Sequence, residues 1–329
     1  MAHWLERKLH PEWYHGVGAR PPFFEGWYFK LVDPTRRHRL AVIPGIFLDP
    51  AGRDSHSFVQ VLDGATASAR FHRYPADAFD AAPGRFDVSV GPNHFSLEGL
   101  KLDLGGPEGS LSGTVHLDAA LPWPVSLASP GAMGWYSWLP FLETYHGILS
   151  LDHGLAGALT MDGRPLDFTG GRGYLEKDWG RTFPSAWVWM QSNHFSQPGV
   201  SLTASVALVP RVGRTFRGFI IGLLHQGRLH RFATYLGSRL ERLEILDDGA
   251  NLTLRGGGLR LEIEARGGRV ALLHGPSEHD FRPRVEETLD ATIAVRLTET
   301  TSGRPLFQGT GEVAGLEIQG DLERLKRGR

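Results

Sequence analysis

Glycine and proline punctuation constrains this chain more than any other feature. Forty-two glycines and twenty-one prolines are spread along 329 residues. Between them apolar and polar residues alternate over only a few positions at a time, as in Trp27–Val32, Leu40–Phe47, Phe58–Leu62, Leu97–Leu104, Leu111–Leu117 and Tyr145–Leu151. The pattern resumes in Trp187–Phe195, Ser201–Val209, Phe216–Leu224, Leu259–Ala265 and Thr292–Leu297. Turn pairs such as Asp162-Gly163, Asp248-Gly249 and Gly267-Gly268 separate the runs. Short period-2 segments cut by turn residues predict an all-β protein of barrels or sandwiches with little helix. Leu236–Asp247 fits a helical stripe or a strand pair equally well. Residues Leu121–Pro140, rich in Pro, Gly and Trp, read as an ordered lid or long loop.

A length of 329 residues predicts about two domains. Two aromatic strands, Phe23–Lys30 and Phe183–Met190, each follow a proline-containing approach and lie 160 positions apart, close to half the chain. This hint of duplication favours two similar β-barrels, residues 1–180 and 181–329.

The bulk chemistry excludes several functions. A formal net charge of −1 leaves no electrostatic footprint for nucleic acid. With no cysteine, disulfides, thiolate catalysis and Cys-ligated metals are ruled out. The first residues, MAHWLERKLHPEWYHG, contain no apolar h-region, and no run of about 18 apolar residues exists. The expectation is a cytoplasmic protein, membrane-peripheral only in transient contacts made to collect a lipid. No nucleophile elbow, His-Glu-x-x-His or Walker loop is found, and Gly170-Gly171-Arg172-Gly173 does not fit a dinucleotide fingerprint. Fifteen histidines show no tight ligand spacing, so neither a metal nor a cofactor is expected. Oligomeric state is not legible.

What remains is acid placed among aromatics. Residues 170–195, GGRGYLEKDWGRTFPSAWVWMQSNHF, combine Glu176, Lys177 and Asp178 with three tryptophans. From Ala186 the run alternates, with Trp187, Trp189, Gln191 and Asn193 on one face, which suggests the wall of a binding cavity. Glu25 precedes Trp27, and Glu143 lies close to His146. A carboxyl group in apolar surroundings holds its proton at neutral pH and can donate it. Indole faces can stabilise a neighbouring cation. The alternative for the acids is ion pairing with Lys177, Arg172 or Arg181 at a barrel mouth, and for the tryptophans plain core packing.

Several stretches resemble the tocopherol cyclase family. They are Phe24-Glu25-Gly26-Trp27-Tyr28-Phe29-Lys30, Pro140-Phe141-Leu142-Glu143-Thr144-Tyr145-His146-Gly147, Asp167 through Gly180, Phe183-Pro184-Ser185-Ala186-Trp187, and Gly309 through Glu317. The resemblance implies paired lipocalin-like antiparallel barrels, also seen in carotenoid hydratases. It further implies closure of a prenylated hydroquinone to a chromanol without redox change or metal. Glu176, Lys177, Trp179 and Asn193 match the family, whereas Asp178 replaces Asn and Ser192 replaces Cys of the plant enzymes. On this reading Asp178 or Glu176 protonates the prenyl alkene, with Glu25 and Glu143 in reserve, and Lys177 ion-pairs with one acid of the pair to keep the second neutral. Trp187 and Trp189 hold the tertiary cation, and Gln191 and Asn193 orient the hydroquinone oxygens. Trp27, Trp179 and His146 complete the substrate-binding set. The competing expectations are an isoprenoid hydratase or isomerase and a non-enzymatic carrier of a lipid or quinone.

Overall fold

The computed structural model describes residues 2–140, 142–211 and 214–328, and the chain divides into two compact units. The first comprises Met1–Phe183 and Leu272–Arg284, the second Pro184–Ala271 and Val285–Arg329. Both are antiparallel β-barrels. Among the described residues the α-helices are two short ones, α1 (Ala2–Lys8) and α2 (Leu322–Arg327). Neither is long and apolar enough to cross a membrane.

In the first unit the strands are β1 (Phe23–Val32), β2 (Arg39–Leu48), β3 (His56–Asp63), β4 (Ser68–Pro75), β5 (Phe79–Ala81) and β6 (Asp87–Val90). They continue with β7 (Asn93–Ser96), β8 (Gly99–Leu104), β9 (Leu111–Asp118), β10 (Thr144–Met161), β11 (Arg164–Asp167) and β12 (Arg172–Gly180). Their order is β4-β3-β2-β1-β12-β10-β9-β8-β7-β6-β5, with β11 paired to β10. Trp27, Phe29 and Leu31 alternate along β1 into one apolar cluster with Val59 and Val61 of β3, Val88 and Val90 of β6, and Leu175 of β12. Strands from both ends of the sheet share that core, so the sheet is rolled around it. Each large side chain buried there contributes about 2–3 kcal/mol.

Strand β12 closes the ladder between β1 and β10, and the glycine cluster before it makes this possible. A Cβ on Gly171 would meet the Val32 carbonyl oxygen at 2.2 Å, and one on Gly173 would meet His153 Nε2 at 2.2 Å. Gly171 thus allows close backbone approach to β1, and Gly173 leaves room for the His153 ring. On the opposite sheet face Phe24, Phe47, Phe58 and Phe281 form a separate cluster. Residues 272–284 are tied to this unit by Gln60, whose amide donates to the His274 carbonyl at 3.3 Å and accepts from the His274 N–H at 2.7 Å.

The second unit contains β13 (Ala186–Ser192), β14 (His194–Phe195), β15 (Ser201–Arg211), β16 (Arg214–His225), β17 (Arg228–Ala233) and β18 (Arg239–Leu246). It continues with β19 (Gly249–Gly256), β20 (Leu259–Arg266), β21 (Ala271–Pro276), β22 (Phe281–Glu299) and β23 (Pro305–Gly320), although β21 and β22 also supply residues 272–284 of the first unit. The order is β17-β16-β15-β13-β23-β22-β20-β19-β18. Val188 and Met190 enter its core with Phe232 from one end of the sheet and Leu252 from near the other. The two aromatic strands singled out in the sequence are β1 and β13, and each pairs with the final strand of its own unit.

Three local readings are settled here. Arg239–Leu246 is a strand. Residues 172–180, absent from the alternating runs read in the sequence, are a central strand. Residues 121–140 form a long connection containing a 3₁₀ turn at Gly134–Trp138.

Candidate active site

Strand β12 carries charged chemistry on both faces because consecutive residues of a strand point oppositely. Tyr174, Glu176 and Asp178 share one face, while Leu175, Lys177 and Trp179 share the other. The register sets His146 of β10 directly beside Asp178, with Ile148 beside Glu176. On the β1 side Gly26 lies opposite Asp178 and Tyr28 opposite Glu176.

The first face holds a chain of two hydrogen bonds joined by an ion-pair contact. The Tyr174 hydroxyl donates to Glu176 Oε2 at 2.5 Å. His146 lies between the acids, with Nδ1 2.9 Å from Asp178 Oδ1 and Nε2 3.6 Å from Glu176 Oε2. Burial opposes a charge on His146, but the Asp178 and Glu176 carboxylates outweigh it and raise the imidazole to about 9. At neutral pH the ring is therefore an imidazolium clamped between two carboxylates. Asp178 is the accessible end, since its side chain is 30% exposed against 6% for Glu176. Gly26 contributes no side chain beside it, and a Cβ there would make only ordinary contacts at 3.6–3.7 Å.

His146, Glu176 and Asp178 also form a potential cation-binding group, with one ligand atom from each lying within 4.8 Å of the others. The ring orientation favours proton handling instead. His146 Nδ1 is hydrogen-bonded to Asp178 and Nε2 lies 3.6 Å from Glu176, so in this arrangement the ring stands between the acids.

The opposite face tells a different story about Lys177. Its ammonium pairs with Glu25 at 2.5 Å and also donates to the Trp13 carbonyl and to His15 Nδ1 at 2.9 Å. It stands 4.8 Å from the Trp27 ring centroid and 4.7 Å from that of Trp179. The pairing expected with Glu176 or Asp178 is thus corrected, because Lys177 projects to the other side of the sheet. Burial disfavours charge on Glu25, but Lys177 and His15 hold its carboxyl below the usual range. It is an ionised latch and not a neutral acid in reserve. The latch fastens residues 9–22, since both Glu25 oxygens accept from the His15 N–H at 3.0 and 2.9 Å, and Trp27 Nε1 donates to the Glu12 carbonyl at 3.3 Å. Burial and the Lys177 ammonium depress His15 to about 4, against the pull of Glu25.

Glu143 lies just before β10, and Phe141 of the same motif is outside the described residues. Burial and Glu278 push the Glu143 carboxyl up, with Arg181 opposing. Trp187, Trp189 and Gln191 stand on β13 of the second unit, with Asn193 just after it, and the two tryptophans point away from the face that carries Val188 and Met190 into the core. Trp187 Nε1 donates to Glu317 Oε2 at 2.6 Å.

Two positions beside the acids are not among the candidates read from sequence. Tyr174 is in period-2 phase with Glu176 and Asp178, a signal visible once 172–180 is taken as a strand. Gly26 matters for what it lacks, and only the cross-strand register exposes that.

Comparison with known proteins bears on this geometry. A family model described as tocopherol cyclase-like matches residues 115–320. A probable chloroplastic tocopherol cyclase of Oryza sativa subsp. japonica is 25% identical over 93% of this chain and 77% of its own length. The chloroplastic tocopherol cyclase of Zea mays matches with the same identity and coverage. Among solved structures, CghA with Sch210972 aligns with a TM-score of 0.57 at 12% identity, over 92% of this chain and 89% of that one. Kievitone hydratase from Nectria haematococca aligns with a TM-score of 0.52 at 14% identity, over 90% and 89%. At such identities these structures speak for the lipocalin-like two-barrel fold alone. The family match spans more than half the chain and includes β10 and β12 with the whole Tyr174–Glu176–His146–Asp178 array, so this chain belongs to the tocopherol cyclase-like family.

Proposed function

We propose that the protein is an intramolecular cyclase that closes a prenylated hydroquinone to a chromanol, with Asp178 as proton donor. The observation that carries this reading is the imidazolium of His146 held between Glu176 and Asp178, with Asp178 at the accessible end. Asp178 rests as a carboxylate and takes up its proton from solvent at the accessible end of the array once substrate is in place. The His146 imidazolium, which donates to Oδ1, then stabilises the carboxylate left when that proton is transferred. Glu176, itself fixed by the Tyr174 hydroxyl, compensates the imidazolium and keeps the ring in place.

In the proposed step Asp178 transfers its proton to the less substituted alkene carbon, and the π pair forms the new C–H bond. The tertiary cation is captured by a lone pair of the phenol oxygen, forming the C–O bond. The phenol proton then returns to the Asp178 carboxylate, so nothing is consumed and the product has the mass of the substrate. Tyr28 and Tyr174 share the face of Asp178 by register and offer electron-rich rings to the cation. Trp27 and Trp179 are engaged by Lys177 instead.

The test is turnover of 2-methyl-6-phytylbenzoquinol under reducing conditions by wild type, Asp178→Asn and Glu176→Gln. General-acid loss lowers rates by roughly 10²–10⁴-fold. The Asp178 variant is expected to fall in that range, and the Glu176 variant by less because it acts through His146. Undiminished turnover by Asp178→Asn would remove the residue from the mechanism, and a product heavier by one water would make the reaction a hydration.

A further inference from the structure

Residues 119–142, AALPWPVSLASPGAMGWYSWLPFL, contain no charged residue and no histidine, in a chain that is 22% charged. A segment this apolar is normally buried, yet Leu121 is 46% exposed, Val125 40%, Leu127 72% and Trp135 47%. Most of the large apolar residues left exposed elsewhere on the chain are scattered singly, which needs no explanation. Four within fifteen positions, with no charge between them, do.

Part of the polar backbone of this connection is satisfied locally, at its tip and at its base. At its tip Ser126 and Ser129 exchange N–H···O=C bonds of 3.0 and 3.1 Å around Leu127 and Ala128. The Leu127 carbonyl accepts from Trp138 Nε1 at 3.1 Å, and Pro130 O accepts from the Ser137 hydroxyl at 2.8 Å. Its base is anchored on β10, where Leu151 N donates to Leu121 O at 2.7 Å and Trp123 N to Ile148 O at 3.3 Å. Trp123 itself is buried. A loop whose tip keeps its own hydrogen bonds can leave water at low cost, since it carries few polar groups that would be stranded in hydrocarbon.

The same connection reaches the active-site array. Met133 Sδ accepts from the His146 N–H at 3.1 Å, and the Tyr145 hydroxyl, on the next residue back, donates to Leu139 O.

We propose that residues 121–139 dock on a lipid bilayer, with Leu127 and its neighbours entering the acyl boundary and Trp135 at the headgroup level, and that cargo enters from the membrane beside His146. A bilayer suits this surface better than a protein, because protein interfaces carry polar rims that a segment without charge does not supply. Exposed Leu and Trp on one hydrogen-bonded loop match the interfacial pattern of one apolar and one amphipathic anchor. The identity of the cargo rests on the cyclase reading, whereas the membrane contact does not.

The experiment is flotation of the intact protein with phosphatidylcholine vesicles at low and high salt, comparing wild type with Leu127→Ser/Trp135→Ser. Quenching of Trp fluorescence by brominated phosphatidylcholine in wild type and Trp135→Phe reads the contact directly. Wild type is expected to float at both salt concentrations, because the loop has no charge to screen. The double variant is expected to partition about tenfold or more weakly and to keep wild-type turnover of detergent-dispersed quinol. Quenching is expected to drop in Trp135→Phe. Absence of flotation by wild type, or equal flotation and quenching in the variants, would overturn the proposal. A wild-type dimer that the double variant converts to a monomer, without vesicle binding, would instead assign the surface to a second copy of the chain. Flotation and quenching as expected, with no turnover by either protein, would refute the cyclase reading and leave the docking surface standing.

Discussion

Replacing His146 with glutamine removes the cation between Glu176 and Asp178 while keeping a polar side chain of similar reach. Its effect on stability follows from the shift of the imidazole from 6.5 to about 9. That shift is equivalent to about 3 kcal/mol of preferential binding of the proton by the folded state. The His146 side chain is only 13% exposed, so little of this is lost to solvent screening. A group whose pKa rises on folding stabilises the native state fully below its unfolded value and loses that contribution as pH climbs through its folded value. The contribution of His146 is thus complete below pH 6.5 and gone above about 9. Urea unfolding of wild type and His146→Gln at pH 6 and pH 9.5 measures it, and the gap between the proteins is expected to shrink by about 3 kcal/mol. Histidine NMR should place the His146 titration near 9. A gap that does not change with pH, or a His146 titration near 6.5, would refute the clamped imidazolium.

The latch on the opposite face makes two further expectations, and Gly26 beside Asp178 makes a third. Lys177→Met leaves Glu25 buried without its partner and should cost about 3–5 kcal/mol in urea unfolding, part of which Glu25→Gln in the same chain should restore; the folded Lys177→Met fraction should keep near wild-type turnover because Lys177 faces away from Asp178. His15, depressed to about 4, stabilises the fold above pH 6.5 and ceases to do so as pH falls toward 4, so amide hydrogen exchange in residues 10–16 should accelerate over that interval. Gly26→Val places a branched side chain beside Asp178 at a position with ordinary Cβ clearance; its melting temperature should stay close to wild type while turnover falls at least about tenfold, and unchanged turnover would mean that substrate does not pass over Gly26.

The architecture was legible because two signals were strong. Period-2 alternation marked β1, β2 and β13, and the density of turn residues between short runs marked an antiparallel all-β fold. Strand β12 was obscured because the glycines at its start, which leave room for the β1 backbone and the His153 ring, also look like a loop. Reading 172–180 as a strand would have separated Lys177 from Glu176 and Asp178 at once, since a one-residue offset changes the sheet face. The partner of Lys177 was out of reach for another reason. Glu25 is 152 positions away in sequence, and only the antiparallel register of β1 with β12, which sets Glu25 beside Trp179, brings it within bonding distance. Composition picks out the acids and the aromatics, but which face each occupies is a property of pairing.

The central claim is that Asp178 delivers a solvent-derived proton to the prenyl alkene. It is tested most directly by running the reaction of 2-methyl-6-phytylbenzoquinol in D₂O and analysing the product after back-exchange into H₂O. Alkene protonation followed by ring closure predicts a chromanol carrying one non-exchangeable deuterium on the ring carbon next to the new C–O centre, formed by wild type and not by Asp178→Asn. A chromanol without carbon-bound deuterium, or one formed equally by both proteins, would contradict the account.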